Sequence, residues 1–150
     1  MSGLPNPWTG SVKIESSGNI PLGTAVTNSN SVGGYDFNAT NKGSKVVVLP
    51  FAVKNASGTA CSWCTGYTVR NVSTSPNVTV VAQYYDNNGT PIWSRTFTLG
   101  SAAVAGFHQS LDGVPNGWQG SIVLSASDVI VAIMREDTSS TVNGYNGIPR

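Results

Sequence analysis

The sequence predicts an all-β protein, an immunoglobulin-like antiparallel β-sandwich with an additional N-terminal β-hairpin. Three observations carry that expectation. Short runs rich in Val, Ile, Thr and aromatic residues recur at roughly 8–12-residue spacing, separated by Gly, Asn, Ser and Pro, as in packed sheets. No segment shows a helical period with caps. A shift of about 110 residues superposes two stretches without a gap, the sign of an internal repeat. Under that shift Pro5, Asn6, Trp8, Gly10 and Ser11 fall on Pro115, Asn116, Trp118, Gly120 and Ser121, and Val32, Gly34 and Tyr35 fall on Val142, Gly144 and Tyr145.

In chain order, Val12 and Ile14 alternate with Lys13 and Glu15 as a half-buried strand does. Ile20 to Val26 reads as a second strand, with Pro21 and Gly23 confining it to an edge. Asn38 to Ser44 is a polar connector. Lys45 to Val53 is strongly β, and Pro50 marks a kink or an edge. Asn55 to Thr65 reads as a loop carrying both cysteines. Gly66 to Val72 alternates, with Tyr67, Val69 and Asn71 on one face. Val78–Tyr85 and Ile92–Leu99 flank Asp86-Asn87-Asn88-Gly89, a hairpin signal because Asn-Gly accepts positive φ. Ala102 to Gln109 is a further short strand. Trp118–Ser125 and Val129–Glu136 read as a second hairpin, with Val131 or Ile133 facing the core. Residues 1–41 are thus the closing strands of a preceding copy, and 45–150 form a complete sandwich repeat.

Composition narrows the function. Charged residues make up 10% of the chain and the formal net charge is +1. A basic field for nucleic acid is therefore lacking, and no partnership with nucleic acid is expected. No apolar run approaches the ~18 residues of a membrane helix, so membrane insertion is not expected. Asn-X-Ser/Thr sites at Asn38, Asn55, Asn71, Asn77 and Asn88 agree with a secreted surface, although an Asn-, Ser- and Thr-rich chain produces several by chance.

Candidate sites are few. Cys61-Ser62-Trp63-Cys64 has the CxxC spacing of redox motifs, but no βαβ context surrounds it. A metal site needs about four ligands, and the single histidine, His108, lies far off in sequence, so no metal or cofactor is expected. The favoured reading is a short disulfide, Cys61 to Cys64, stiffening a loop in an oxidising compartment. The Asp86–Gly89 stretch clusters oxygen ligands yet lacks the alternating acids and distal Glu of a calcium loop. Trp63, Tyr84 and Tyr85 are candidates for contact with a carbohydrate or another partner, whereas Trp8 and Trp118, at equivalent repeat positions beside glycine, read as packing residues. His108 has no nucleophile elbow beside it, and Glu136 and Asp137 are strand neighbours pointing to opposite faces. No catalytic residue is assigned and the chain is not expected to be an enzyme.

The ordered series VVVLPFAVKN, TGYTVRNVS, VTVVAQYYDNNGTPI, VPNGWQGSIVLSASDVIVAIMRE and NGYNGI resembles a tandem repeat of secreted multi-repeat surface proteins of filamentous bacteria. The resemblance covers Lys45 to Ile148, and Leu4 to Phe37 resemble the closing third of a preceding copy. Only the order of the motifs is specific, and the first copy departs from the second at Lys13 and Pro21. The resemblance implies an extracellular structural or adhesive role without catalytic residues. The expected function is accordingly a module of a surface fibre or filament at the cell surface. It would be joined to itself, as a homopolymer or through tandem neighbours, by strand addition through Val12, Ile14, Ile20 and Leu22. A carbohydrate-binding or adhesive sandwich is the alternative.

Overall fold

A computed structural model describes residues 25–30, 33–38, 43–57, 60–138 and 142–150, with backbone only for 25–30, 33–38, 56–57, 60 and 142. Val12, Ile14, Ile20 and Leu22 lie outside the described residues, as does Trp8. The strands are β1 (Ala25–Asn30), β2 (Gly33–Asn38), β3 (Ser44–Ser57), β4 (Ala60–Asn71), β5 (Asn77–Asp86), β6 (Pro91–Gly100), β7 (Val104–His108), β8 (Trp118–Thr138), β9 (Val142–Asn146) and β10 (Ile148–Pro149). Among the described residues one 3-10 turn, Gln109–Leu111, follows β7. Among the described residues every pairing is antiparallel.

The protein is all-β, an antiparallel sheet strongly curled into a half-barrel. The 21-residue β8 organises the sheet. Its first half lies between β3, paired from Lys54↔Trp118 to Val46↔Ser125, and β5, paired from Asp86↔Gly120 to Val80↔Ala126. Its second half lies between β4, paired from Asn71↔Ile130 to Trp63↔Thr138, and β9. β6 extends the sheet beyond β5, β7 beyond β4 and β10 beyond β3.

Trp118–Glu136 is therefore one strand and not a hairpin. The bend falls where a turn was expected. Between the pairs Val46↔Ser125 and Ser44↔Ile130, β8 advances further than β3, so residues 126–129 bulge. Bulges bend and twist strands and let them turn the corners of a curled sheet. Asp128 seats this one: its Oδ1 accepts from Val129 N at 2.8 Å and its Oδ2 accepts from Ser75 Oγ. The Ser75 bond, then the Val129 bond, hold its carboxyl below the usual carboxylate range. The side-chain alternation runs through the bend. Trp118, Ile122, Leu124, Ile130, Ala132 and Met134 are all buried and all even-numbered, so the same face is inside on both sides of the bend. Val131 and Ile133 are half-buried on the opposite face, which corrects their expected inward placement.

Other elements follow their sequence cues. Pro50 marks a bulge, since the β3–β8 register shifts between Leu49 and Ala52. Tyr67, Val69 and Asn71 point inward from β4. The β5–β6 hairpin turns at Asp86–Gly89, with Gly89 at φ 79° and Asp86 Oδ1 accepting from Asn88 N at 2.9 Å and Thr90 N at 2.8 Å. The expected loop at Asn55–Thr65 is mostly strand, the ends of β3 and β4. Among the described residues, β1 and β2 form a two-stranded sheet of their own, with β2 alongside β9.

Candidate functional site

The inward column of β6 is Trp93, Arg95, Phe97 and Leu99, alternating with the exposed Ile92, Ser94, Thr96 and Thr98. An arginine in such a column requires a buried partner. It finds Asp112, just past the 3-10 turn, with Nη2 2.8 Å from Oδ1. That contact is an ion pair without hydrogen-bond alignment, because Oδ1 is otherwise unpartnered. The guanidinium also stacks over Phe107 at 4.5 Å and over Trp93 at 5.2 Å. Tyr84 Oη donates to Asp112 Oδ2 at 2.6 Å and lies 3.0 Å from Tyr67 Oη. Lys54 Nζ donates to the Asp112 carbonyl at 2.8 Å.

Around these polar atoms the rings form a box. Tyr84 meets Trp93 at 4.9 Å and Trp118 at 5.7 Å, while Phe107 meets Tyr67 at 5.2 Å and Phe97 at 4.6 Å. The side chain of Asp112 has no exposed surface and that of Arg95 retains 24%. Burial raises the Asp112 carboxyl above its ordinary value, against the lowering pull of Tyr84, Arg95, Lys54 and His108. Burial likewise pushes the Tyr67 hydroxyl up to about 12 and the Tyr84 hydroxyl far up. Perturbed groups of this kind mark functional clusters as well as structural ion pairs. Here the carboxylate is sealed away from any solute. What the arrangement does is fasten the free edge of the half-barrel: Arg95 on β6 is tied to Asp112 and to Phe107 on β7, across strands that share no ladder.

A second cluster joins β7 to β8. Ser110 Oγ lies 2.6 Å from His108 Nδ1, and His108 Nε2 lies 3.4 Å from Asp137 Oδ2. The order Ser–His–Asp invites an acyl-transfer reading, but the contacts are those of a cap. His108 is the N-cap of the 3-10 turn, and its Nδ1 also accepts the Ser110 backbone N–H at 3.4 Å. Arg135 already holds Asp137, with Nη2 at 2.7 Å and Nε at 2.9 Å.

The sequence candidates separate in the structure. Tyr84 is fully buried in the box, which removes it from any surface platform. Tyr85 is half-buried, and its carbonyl sits against Gly120, where a Cβ would collide with it. Trp63 is half-buried on another part of the sheet. Its Nε1 donates to Glu136 Oε1 at 2.5 Å and its ring lies 5.8 Å from Phe51. Phe51 in turn lines a shallow depression with Pro50, Asp86, Asn87, Gly89, Gly120 and Ser121. Cys61 and Cys64 are bonded to each other with Cα atoms 5.9 Å apart. Among the described residues no His, Cys, Asp and Glu group is placed to hold a metal, and no helix is long and apolar enough to cross a membrane. Sequence reading missed Arg95, Asp112 and Phe51. The signal for Arg95 was available, since it shares the parity of Trp93 and Phe97.

No protein-family profile and no curated protein sequence matches this chain. Among solved structures, the crystal structure of Thermotoga maritima 1070 is similar, with a TM-score of 0.60 at 12% identity, covering 74% of this chain and 97% of that one. At that identity the likeness concerns the fold alone.

Proposed function

We propose that the chain is a non-catalytic structural module of an extracellular fibre or filament, with subunits joined through β-strand contacts. The observation that carries the reading is the β1–β2 hairpin. Under the 110-residue offset it corresponds to the end of β8 and to β9, yet among the described residues it stands outside the main sheet, beside the β9 edge. A two-stranded hairpin is marginal by itself and gains stability by pairing with a further strand. The edges of β6 and β9 offer backbone groups for such pairing. The disulfide and the low charge agree with an exported surface protein. In this reading the two halves of β8 serve as the facing layers of an immunoglobulin-like sandwich repeat, of the kind the multi-repeat surface proteins suggest.

Size-exclusion chromatography over a concentration series, with negative-stain imaging, tests it. The full chain should assemble into heterologous, open-ended oligomers, and a chain lacking residues 1–40 should stay folded and monomeric. A full chain that remains monomeric at high concentration removes the support for a fibre. An adhesive, carbohydrate-binding module is a second reading, favoured by the partly exposed Phe51–Trp63 pair beside the depression that Asp86 and Asn87 line. Glycan binding abolished by Trp63→Ala, without polymer, would select that reading instead.

A further inference from the structure

The Cys61–Cys64 bond poses a geometric problem. Residues three apart on a regular strand point to opposite faces and lie about 10 Å apart, at about 3.3–3.4 Å per residue. Both cysteines belong to β4, yet their Cα atoms are only 5.9 Å apart. The ladder shows how the chain manages this. Lys54 pairs with Cys64 and Asn55 with Trp63, but the next pairs are Ala56 with Cys61 and Ser57 with Ala60, so Ser62 has no opposite number on β3. Ser62 is the extra residue of a β-bulge, and its Oγ donates to the Asn55 carbonyl at 2.9 Å. The bulge shortens the strand enough for the bond, and the bond prevents the strand from straightening.

We propose that this disulfide is a redox lock on the register of the β3–β4 hairpin, and that reduction shifts the hairpin tip by one residue. Trp63 and Cys64 are held on both sides, by Asn55 and Lys54 of β3 and by Thr138 and Asp137 of β8, so they keep their places. The slip is confined to residues 60–62. Without the bulge, Ala56 pairs with Ser62 and Ser57 with Cys61. A one-residue slip turns each moved side chain to the other face. Cys61 thus leaves the face it shares with Cys64, which opposes re-formation of the bond until the bulge returns.

The step is ordinary thiol–disulfide exchange with a small external thiol. Its thiolate attacks the half-exposed Cys61 sulfur, the S–S bond breaks, and fully buried Cys64 leaves as a thiolate that takes a proton. A second reagent thiolate attacks the reagent sulfur of the mixed disulfide. Cys61 is released as a thiol and the reagent departs as its own disulfide.

Nuclear magnetic resonance on the full chain reads the register directly. In the oxidised protein, cross-strand backbone contacts should connect Ala56 with Cys61. After treatment with dithiothreitol they should be replaced by contacts between Ala56 and Ser62, with the Asn55–Trp63 contact unchanged. Cys61→Ser with Cys64→Ser should show the shifted register without reductant, which separates the effect of the bond from that of the reagent. Retention of the Ala56–Cys61 contact after reduction would mean that the bulge is intrinsic to the fold. Loss of both contacts would mean that the tip frays. Either result overturns the proposal.

Discussion

The two halves of β8 have the same alternation and different neighbours. Trp118 to Ala126 lies between the long strands β3 and β5, and its inward side chains meet the aromatic box around Asp112. Ile130 to Thr138 lies between β4 and the five-residue β9, and its far end carries Arg135, Glu136 and Asp137 in ion pairs and hydrogen bonds near the surface. Fully buried side chains fill both halves, Ile122 and Leu124 in one and Ile130 and Met134 in the other. The contrast lies in how the neighbouring strands are fastened. The first half depends on a desolvated charge pair, and the second on exposed charges and a tyrosine clamp.

The largest expected effects test whether the two halves share one core. Ile122→Ala and Ile130→Ala each remove a fully buried side chain and should each cost roughly 2–5 kcal/mol in chemical denaturation. Both unfolding transitions should stay single. A biphasic transition in the Ile130 variant alone would split the sheet at the bulge.

The next effect belongs to the first half. Arg95→Ala leaves the Asp112 carboxylate buried beside Tyr84 without its counter-charge. Stranding a buried charge costs about 3–5 kcal/mol, and the low end is expected here because Tyr84 still donates to the carboxylate. The pH dependence fixes the sign. Burial raises the Asp112 carboxyl in the folded protein above its unfolded value. Its contribution is therefore fully present below the unfolded value and is lost as pH rises through the folded one. Asp112→Asn removes that dependence, so its cost relative to the parent should be larger at pH 4 than at pH 7. A cost that instead grows toward pH 7 would show that Arg95 outweighs desolvation.

The β5–β6 hairpin was legible because Asp86 and Gly89 specify a turn by local chemistry. The face of β4 was legible by parity, and the kink or edge expected at Pro50 is a bulge within a paired strand. The bend in β8 was not, because Ser125-Ala126-Ser127-Asp128 has the composition of a turn, and only tertiary contacts keep it extended, the pairing of Ser125 and Ala126 and the Ser75 bond to Asp128. The even parity of Trp118, Ile122 and Leu124 was the available clue, since Ile130, Ala132 and Met134 resume it in phase beyond the supposed turn. Asp112 could not be found by pattern, because a buried carboxylate in a turn-like stretch is defined by Arg95, a partner distant in sequence. The alternation of Trp93 to Leu99 nevertheless places that arginine inside.

The second half offers a clamp of intermediate strength. Tyr145 Oη accepts from Phe51 N at 3.2 Å and donates to Phe51 O, tying β9 to the bulge that Pro50 makes in β3. Tyr145→Phe removes both bonds at a part-buried backbone and should cost about 1–3 kcal/mol. The loss should appear first as faster amide exchange in β9. Exchange accelerated equally in β5 would mean that the clamp supports the whole sheet and not this half.

The smallest effect is expected at the Arg135–Asp137–His108 cluster, and it separates the two kinds of fastening most cleanly. The Arg135 side chain is half exposed and that of Asp137 a quarter exposed. Solvent screens such pairs, and removing one partner typically costs about 0.2–1 kcal/mol. Arg135→Ala should fall at the low end of that range, since His108 still faces Asp137. Raising the salt concentration toward about 1 M shrinks the screening length to about 3 Å, so the difference between this variant and the parent should vanish there. The penalty for Arg95→Ala should survive the same salt, because its carboxylate partner has no contact with solvent. Two variants, each losing one arginine from one carboxylate, should thus diverge as salt rises. If both penalties fade together, Asp112 is reached by ions, and the distinction between a sealed first half and a surface-fastened second half fails.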